Sequence, residues 1–285
     1  MLLQSATRQH IDNILVKPAH AIKHTGEFGA GKAYVAKFKI PGVLGKSEEK
    51  LQDHPYYKLL SPTKSTLSID QIRVLNSFLS LKTVGKSNIK RAILIEDAHT
   101  MTVEAQNALL KLLEEPPRDT VFVLTAVGRT LKPTIYSRVQ LTRIHPVSAT
   151  EAIEYFKPLG YAEKDIIRYF HIANGAVGLM HSLLSGDETN LLAESIDHAK
   201  QLLGQTAYER LAKVDQLSKK PDEVELLLYA FKRICLSALE QAATKQEQMQ
   251  VERWQFRVQQ ILDAQRNLKA NANQKLLLAN LFVNL

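Results

Sequence analysis

The sequence predicts an α/β domain followed by an all-α region. In the first half of the chain, apolar segments of strand length alternate with amphipathic segments of helix length. A glycine-rich segment, residues 26–32, lies where one candidate strand passes into a helix, and strand patterns stop near residue 146. This alternation is typical of a parallel sheet with helices on both faces, and the helical patterns that follow predict separate all-α domains.

The composition is that of a globular protein with a basic surface. With 285 residues, the chain is long enough for two or three domains. The net charge of +8 favours an acidic partner such as nucleic acid, although a generally basic surface explains it equally well. One cysteine, Cys235, excludes an internal disulfide framework and a multi-cysteine zinc site, and its apolar neighbours predict a buried thiol.

Two kinds of segment are missing from the sequence pattern. The first ten residues lack an apolar signal core, and no run approaches the roughly 20 apolar residues of a membrane span. We therefore expect a cytoplasmic protein without membrane contact.

The glycine-rich segment stands between a candidate strand and a candidate helix. Residues 21–25 predict a short strand, and residues 32–40 predict the helix whose amino end would receive a phosphate group. Residues 41–65 are rich in proline, glycine, serine and charge, which predicts a loop or a small insertion.

A capping box opens the next helix. Ser68 and Gln71 have the spacing at which each side chain bonds the other residue's backbone amide. After this helix, residues 90–97 predict a buried strand that ends in the acids Glu96 and Asp97.

A second strand and helix complete the α/β pattern. Residues 102–115 predict an amphipathic helix that stops at the Pro116-Pro117 pair, because proline cannot continue a helix. Residues 120–125, with the sequence TVFVLT, predict another buried strand.

The rest of the chain predicts helices only. Turn residues at 158–160, 174–175 and 185–187 divide the next stretch into three short helices, and longer helices follow. We therefore predict three domains, which are residues 1–146, residues 147–187 and residues 188–285.

The glycine-rich segment has the GxxxxGK frame of a phosphate-binding loop. Its phosphate-binding residues would be Gly26, Gly29, Gly31 and Lys32, and a glycine-rich turn with a chance lysine is the alternative. In a working ATPase the loop amides and the lysine hold the phosphates, and a Ser or Thr after the lysine holds Mg²⁺. Ala33 offers no oxygen there, so the loop predicts ATPase ancestry without efficient turnover, and binding of ATP or ADP stays open.

The acidic strand end fits the same interpretation. An Asp-Glu pair after a buried strand gives one carboxylate for Mg²⁺ and a second to activate water. Here the order is inverted to Glu96-Asp97, and an aspartate in the second place is one methylene short as a base. Two solvated charges at a strand end are the alternative, and for catalysis in the present chain they are the favoured interpretation.

A further charged residue precedes the first predicted boundary. Arg138 follows Ser137 after the second buried strand, and a surface arginine is the plain interpretation of that position. The histidines lack the spacing of metal ligands, so we predict no metal site.

These motifs together resemble those of a known family. Residues 95–99, followed by the NALLKLLEEPP segment at 107–117, are similar to the signature of bacterial clamp-loader AAA+ subunits. Ser137-Arg138-Val139 stands where that family has Ser-Arg-Cys, and residues 271–278 resemble the family's last helix. The resemblance covers most of the chain and is weakest over residues 41–65 and 187–265.

The departures from the family pattern indicate a non-motor subunit. Motor subunits of the gamma/tau type keep a hydroxyl residue after the loop lysine, Asp-Glu at the strand end, a cysteine-ligated zinc module and a lid-domain arginine. This chain has Ala33, Glu96-Asp97, no such cysteines and Leu179 at the position of that arginine. The resemblance therefore implies a subunit without ATPase activity of its own.

The resemblance also implies an architecture, partners and a role for Arg138. It implies an AAA+ domain, a helical lid and a C-terminal helical collar that assembles with gamma/tau and delta subunits. The complex would load the sliding clamp on primed DNA. The family's Ser-Arg-Cys arginine reaches the ATP of a neighbouring subunit, and an arginine supplied in trans contributes roughly 10³–10⁵ in rate.

Two other functions remain open. An active ATPase of the gamma/tau type would hydrolyse ATP in cis, with Mg²⁺ and in dependence on Lys32. A DNA-binding adaptor with a relic loop would bind DNA alone, and its affinity would fall steeply with salt.

Overall fold

In the computed structural model, the structure describes residues 2–16, 19–44, 51, 54–63, 66–84, 88–128, 131–186 and 191–285. The chain forms two compact units, one of Met1–Ser148 with Ala176–Gly178 and one of Ala149–Gly175 with Leu179–Leu285. The predicted boundary near residue 187 lies outside the described residues, and the division into three domains stays a prediction. Among the described residues, no helix is long and apolar enough to cross a membrane.

The first unit is built on a five-stranded parallel sheet with the strand order β2-β3-β4-β1-β5. The strands are β1 (Ala21–Thr25), β2 (Tyr57–Leu60), β3 (Arg91–Ile95), β4 (Thr120–Ala126) and β5 (Gln140–Arg143). Strand β1 lies inside the sheet, where Ile22 pairs with Val123 of β4 and with Gln140 of β5. This sheet confirms the α/β class predicted from the sequence.

Helices cover both faces of the sheet. Successive side chains of a strand point to opposite faces, so the apolar inner strands present apolar side chains on both faces. The helices of this unit are α1 (Ser5–Val16), α2 (Lys32–Leu44), α3 (Ile69–Ser80), α4 (Val103–Glu114) and α5 (Pro133–Tyr136). On one face, Leu75 of α3 and Leu109 of α4 join a core with Phe122 of β4. On the other face, Ile40 of α2 lies in a core with Val123.

Residues 41–65 contain more regular structure than the sequence predicts. Helix α2 continues through Pro41 to Leu44, and strand β2 forms at residues that were expected to be a loop. Proline removes a single helical hydrogen bond here, and the helix ends within one further turn. The edge strands β2 and β5 have only four residues each and mixed polarity, so neither shows the apolar run of an inner strand.

The second unit consists of helices over the residues that the structure describes. They are α6 (Ala149–Phe156), α7 (Glu163–Ala173), α8 (Val177–Ser185), α9 (Leu191–Leu203), α10 (Ala207–Ala212), α11 (Val214–Leu217), α12 (Pro221–Thr244), α13 (Gln248–Lys269) and α14 (Gln274–Asn284). The first residues of α8, up to Gly178, are counted with the first unit. The breaks between α6, α7 and α8 are those that the turn residues predicted.

A buried arginine connects the helices of the second unit. Arg210 donates hydrogen bonds to the backbone oxygens of Phe282 (3.1 Å) and Gln205 (2.9 Å), so its charge is matched by carbonyl dipoles. Phe282 also meets Phe231 edge to face, with ring centroids 6.3 Å apart. Cys235 is fully buried in α12, as predicted, and burial raises the pKa of its thiol to about 12.

Candidate functional site

The glycine loop lies at the carboxyl edge of the sheet, between the end of β1 and the first residue of α2. Gly29 and Gly31 have φ angles of 77° and 83°, a region that favours glycine because it has no Cβ. A Cβ on Gly26 would lie 3.0 Å from the backbone oxygen of Ile144, so the loop is closely packed there as well. Carboxyl edges of parallel sheets are the usual position of ligand sites in α/β folds.

Lys32 faces the loop's own backbone. Its Nζ donates to the carbonyl oxygens of Glu27 (2.8 Å) and Gly26 (3.3 Å), and the residue is buried. Burial lowers the pKa of Lys32 to about 8, while the charges of Asp97 and Glu27 act in the opposite direction. The ammonium that would meet a phosphate is thus engaged within the loop.

A glycine of the first unit contacts the loop from outside. A Cβ on Gly178 would lie 2.8 Å from the Gly29 carbonyl oxygen and 3.1 Å from the backbone nitrogen of Gly31. Only glycine allows this approach without a shift of the backbone. Leu179, where the resemblance predicts the lid arginine of motor subunits, is a fully buried apolar residue.

The two acids after β3 have different surroundings. Asp97 has a φ of 46°, its backbone N–H donates to the Thr125 hydroxyl at 3.0 Å, and its charge acts on Lys32. Glu96 lies 2.7 Å from the Nζ of Lys37 and accepts a hydrogen bond from the Ser61 hydroxyl at 2.9 Å. Each carboxylate oxygen of Glu96 therefore has a positively polarised partner from the protein itself.

The Lys37–Glu96 ion pair changes what the acidic strand end can do. In the motif, the first acid is the carboxylate that meets Mg²⁺. Here that carboxylate meets an ammonium, and Ala33 contributes no oxygen. Among the described residues, no three His, Cys, Asp or Glu side chains are arranged to hold a metal ion.

Arg138 lies at the other edge of the sheet. It precedes β5, whereas the glycine loop follows β1, and the two strands are parallel neighbours. Its Nη1 donates to the Thr134 carbonyl (3.0 Å) and the Ser137 hydroxyl (3.2 Å), and its Nη2 lies 3.0 Å from Glu114. About a third of the Arg138 side chain is exposed.

An open pocket of about 530 Å³ surrounds this arginine. It is lined by Ala19, His20, Leu113, Glu114, Ser137, Arg138, Val139 and Gln140. These residues precede β1 or β5, begin β5 or end α4, so the pocket opens on the amino edge. The structure thus brings Lys32 and Asp97 into one site and places Arg138 in another.

Three partners of the site residues have no signal in the sequence pattern. Lys37 and Ser61, which contact Glu96, carry no motif, and Ser61 lies in a segment expected to be a loop. Glu114 belongs to the NALLKLLEEPP segment, but that motif does not indicate what its side chain contacts. The contact with Arg138 follows from the fold. Glu114 is the last residue of α4 and Arg138 precedes β5, and both positions are at the amino edge of the sheet.

The parallel sheet, the glycine loop after β1 and the acids after β3 define the α/β class of P-loop-type proteins. A gamma subunit-related protein of DNA polymerase III from Thermotoga maritima has the same fold. The TM-score is 0.51 at 19% identity, and the match covers 96% of each chain.

Sequence comparisons point to a particular kind of subunit. Residues 46–148 match the family model described as DNA polymerase III, delta subunit. The delta' subunit from Haemophilus influenzae is 34% identical over 116 residues, which are 40% of this chain and 35% of that protein. The delta' subunit from Pseudomonas aeruginosa is 41% identical over 137 residues, which are 42% and 41% of the two chains.

These matches confirm the resemblance to bacterial clamp-loader subunits, and within that family the chain is similar to the delta-prime subunit of DNA polymerase III. The matched segments span about a third to two fifths of the length of these relatives.

Proposed function

We propose that this chain is a non-motor, delta-prime-like subunit of the DNA polymerase III clamp loader. It assembles with gamma/tau and delta subunits, does not hydrolyse ATP itself, and supplies Arg138 to the ATP site of a neighbour. The observation that carries this proposal is the placement of Arg138 and the glycine loop at opposite edges of one sheet.

This placement favours action in trans over action in cis. Strand β5 begins after Arg138 and ends beside Ile144, which contacts Gly26 of the loop. Four strand residues at about 3.3 Å each separate these two ends by roughly 13 Å. An arginine at the amino edge is therefore beyond reach of a phosphate held by its own loop, but it is accessible to another chain.

The state of the loop supports the absence of turnover in cis. Lys32 is engaged by carbonyl oxygens, Glu96 is paired with Lys37, and Ala33 lacks the hydroxyl that would hold Mg²⁺. Nucleotide is not required for the proposed role, because Arg138 acts on the neighbour's ATP.

The similarity to delta-prime subunits supports the proposed partners. In this proposal the predicted C-terminal collar, residues 188–285, joins the chain to gamma/tau and delta subunits. The sliding clamp and primed DNA are reached through the complex.

The test is ATP hydrolysis by the reconstituted clamp loader with clamp and primed DNA. We expect Arg138→Ala to lower turnover at least about tenfold at the site it serves, because a trans arginine stabilises the charge of phosphoryl transfer. Arg73→Ala is the matched control, since Arg73 is an exposed arginine of α3 that also pairs with an acid, Asp70. Gel filtration of the same samples checks assembly.

Other outcomes separate the rival functions. An unchanged rate with Arg138→Ala in the intact complex removes this arginine from the mechanism. Mg²⁺-dependent hydrolysis by the isolated chain, lost in Lys32→Ala, would identify an active ATPase. Tight, salt-sensitive DNA binding by the isolated chain would favour the adaptor.

A further inference from the structure

A lysine is buried in the middle of the sheet. Lys23 lies in β1 between β4 and β5, and its side chain is fully buried. Burial of an ammonium is unfavourable unless hydrogen bonds and compensating dipoles replace its water. A lysine at such a position therefore calls for an account of what its charge does.

The charge of Lys23 connects two segments that follow β4. Its Nζ donates to the Tyr136 hydroxyl at 2.6 Å and to the Gly128 carbonyl at 3.1 Å. The same ammonium lies 4.1 Å from the centre of the Tyr136 ring, and the Tyr136 hydroxyl donates to the Gly128 carbonyl at 3.0 Å. We call this triangle of Lys23, Gly128 and Tyr136 the lysine bracket.

The bracket holds the short helix that leads into Arg138. Helix α5 ends at Tyr136, and Arg138 follows within the next turn. The apolar side of α5 is fixed by the fully buried Ile135, and the backbone N–H of Lys132 donates to the Gln106 side chain at 3.0 Å. Tyr136 provides a separate attachment, at the end of α5 nearest to Arg138.

The guanidinium of Arg138 takes its orientation from this segment. Two of its hydrogen bonds go to Thr134 and Ser137, which belong to α5 or follow it directly. A shift of α5 would therefore move both acceptors and the arginine together. The side chain of Glu114, from α4, is the contact that lies outside the segment.

We propose that Lys23 is a positioning residue for Arg138, which it orients through the Tyr136 hydroxyl and helix α5. The consequence for ATP hydrolysis rests on the proposed function, but the positioning itself is a property of the free chain. If Lys23 had only a structural role, its hydrogen bond to the Gly128 carbonyl would suffice. Loss of the Tyr136 hydroxyl would then leave Arg138 unaffected.

Tyr136→Phe is the variant of choice. It removes the hydroxyl and keeps the ring that lies against the ammonium, whereas replacing Lys23 itself disturbs the inside of the sheet. Tyr56→Phe is the matched control, because the Tyr56 hydroxyl also accepts a hydrogen bond, from the Val84 amide at 3.1 Å, in the same unit.

The first measurement uses the isolated full chain with isotope-labelled arginine side chains. The Nε–H signal of Arg138, assigned by its loss in Arg138→Lys, reports the order of the guanidinium. We expect Tyr136→Phe to make this signal as mobile as that of the exposed Arg73, with Tyr56→Phe and the far-ultraviolet spectrum unchanged. An Arg138 signal that keeps its order in Tyr136→Phe overturns the proposal.

The second measurement uses the reconstituted clamp loader. We expect Tyr136→Phe to lower ATP turnover several-fold without changing the KM. We also expect Arg138→Ala to lower turnover by a much smaller factor in the Tyr136→Phe background than in the wild type. An equal fold-loss of ATP turnover from Arg138→Ala in both backgrounds would show that the lysine bracket does not affect catalysis. If Arg138→Ala has no effect even in the wild type, the proposed function fails, and the signal of Arg138 still decides the positioning.

Discussion

Two lysines determine the state of the nucleotide-like site. Lys32 stands where a phosphate-binding lysine is expected, yet it donates to the carbonyls of its own loop. Lys37, one turn and a half further along α2, forms an ion pair with Glu96, the acid that would meet a metal ion in the motif. The carboxylate of Glu96 is therefore neutralised by an ammonium of the protein itself, whereas Lys32 keeps its charge and is hydrogen-bonded within the loop.

Lys32 gives the folded chain a pH dependence that can be measured. Its pKa is lowered from 10.5 to about 8, so the unfolded chain binds more protons between these values. The contribution of Lys32 therefore disfavours folding below about pH 8, and this cost disappears as pH rises to about 10.5. In urea unfolding, we expect wild type to gain up to about 3 kcal/mol over Lys32→Met across this range.

The control for this measurement is Lys111→Met, which removes an exposed lysine of α4. The difference between wild type and Lys111→Met, followed over the same pH range, provides the baseline for loss of an exposed lysine. A difference for Lys32→Met that follows this baseline would show that Lys32 titrates normally in the folded chain.

At the scale of elements, the sequence predicts those that have strong periodicity or a cap. The inner strands β3 and β4 are runs of apolar residues, and α3 has both a capping box and an amphipathic face. Helix α1 and the edge strands β2 and β5 were not predicted. The edge strands are short and of mixed polarity, and they acquire their conformation by pairing with a neighbour that the local sequence does not specify.

The capping box of α3 does more than begin a helix. Gln71 accepts a hydrogen bond from the Ser68 amide (3.0 Å), and its side-chain nitrogen donates to the Ser61 carbonyl (2.9 Å) and the Thr63 hydroxyl (3.0 Å). Since the Ser61 hydroxyl donates to Glu96, Gln71 supports the acidic strand end from behind.

We therefore expect Gln71→Ala to destabilise the chain more than Ser68→Ala. Loss of an N-cap costs about 1 kcal/mol, and Gln71→Ala loses the reciprocal bond together with two more, for about 2 kcal/mol in all. Chemical unfolding of the two variants measures the difference, with Ser77→Ala on the exposed side of α3 as control. Equal effects of Gln71→Ala and Ser68→Ala would show that the bonds to Ser61 and Thr63 contribute nothing.

At the scale of the whole molecule, local patterns identify the candidate site residues but not their contacts. The GxxxxGK frame and the acid pair predict a phosphate-type site at one edge of a sheet, and in the structure Asp97 is near enough to Lys32 for its charge to act on that lysine. The partner of Glu96 depends on which residue of α2 faces β3, and the lysine bracket depends on the pairing of β1 with β4. Neither follows from a local pattern.

The internal ion pair predicts that a single reversion does not restore activity. Ala33→Ser returns the hydroxyl after the loop lysine, but Glu96 stays paired with Lys37 and Lys32 stays engaged by carbonyls. We expect the isolated Ala33→Ser chain to hydrolyse ATP no faster than the Ala33→Ser chain that also carries Lys32→Ala. Mg²⁺-dependent turnover above that background would show that the two lysine contacts give way to nucleotide.

A sheet with a loop at one edge and an arginine at the other gives each subunit a direction. In a head-to-tail row of such subunits, the arginine edge of each subunit would contact the loop edge of the next. Under the proposed function, this chain uses the edge that carries Arg138, and its glycine loop does not support ATP hydrolysis. Such a subunit can activate a neighbour on one side and cannot be activated from the opposite side, so it is suited to the end of a row rather than to its interior.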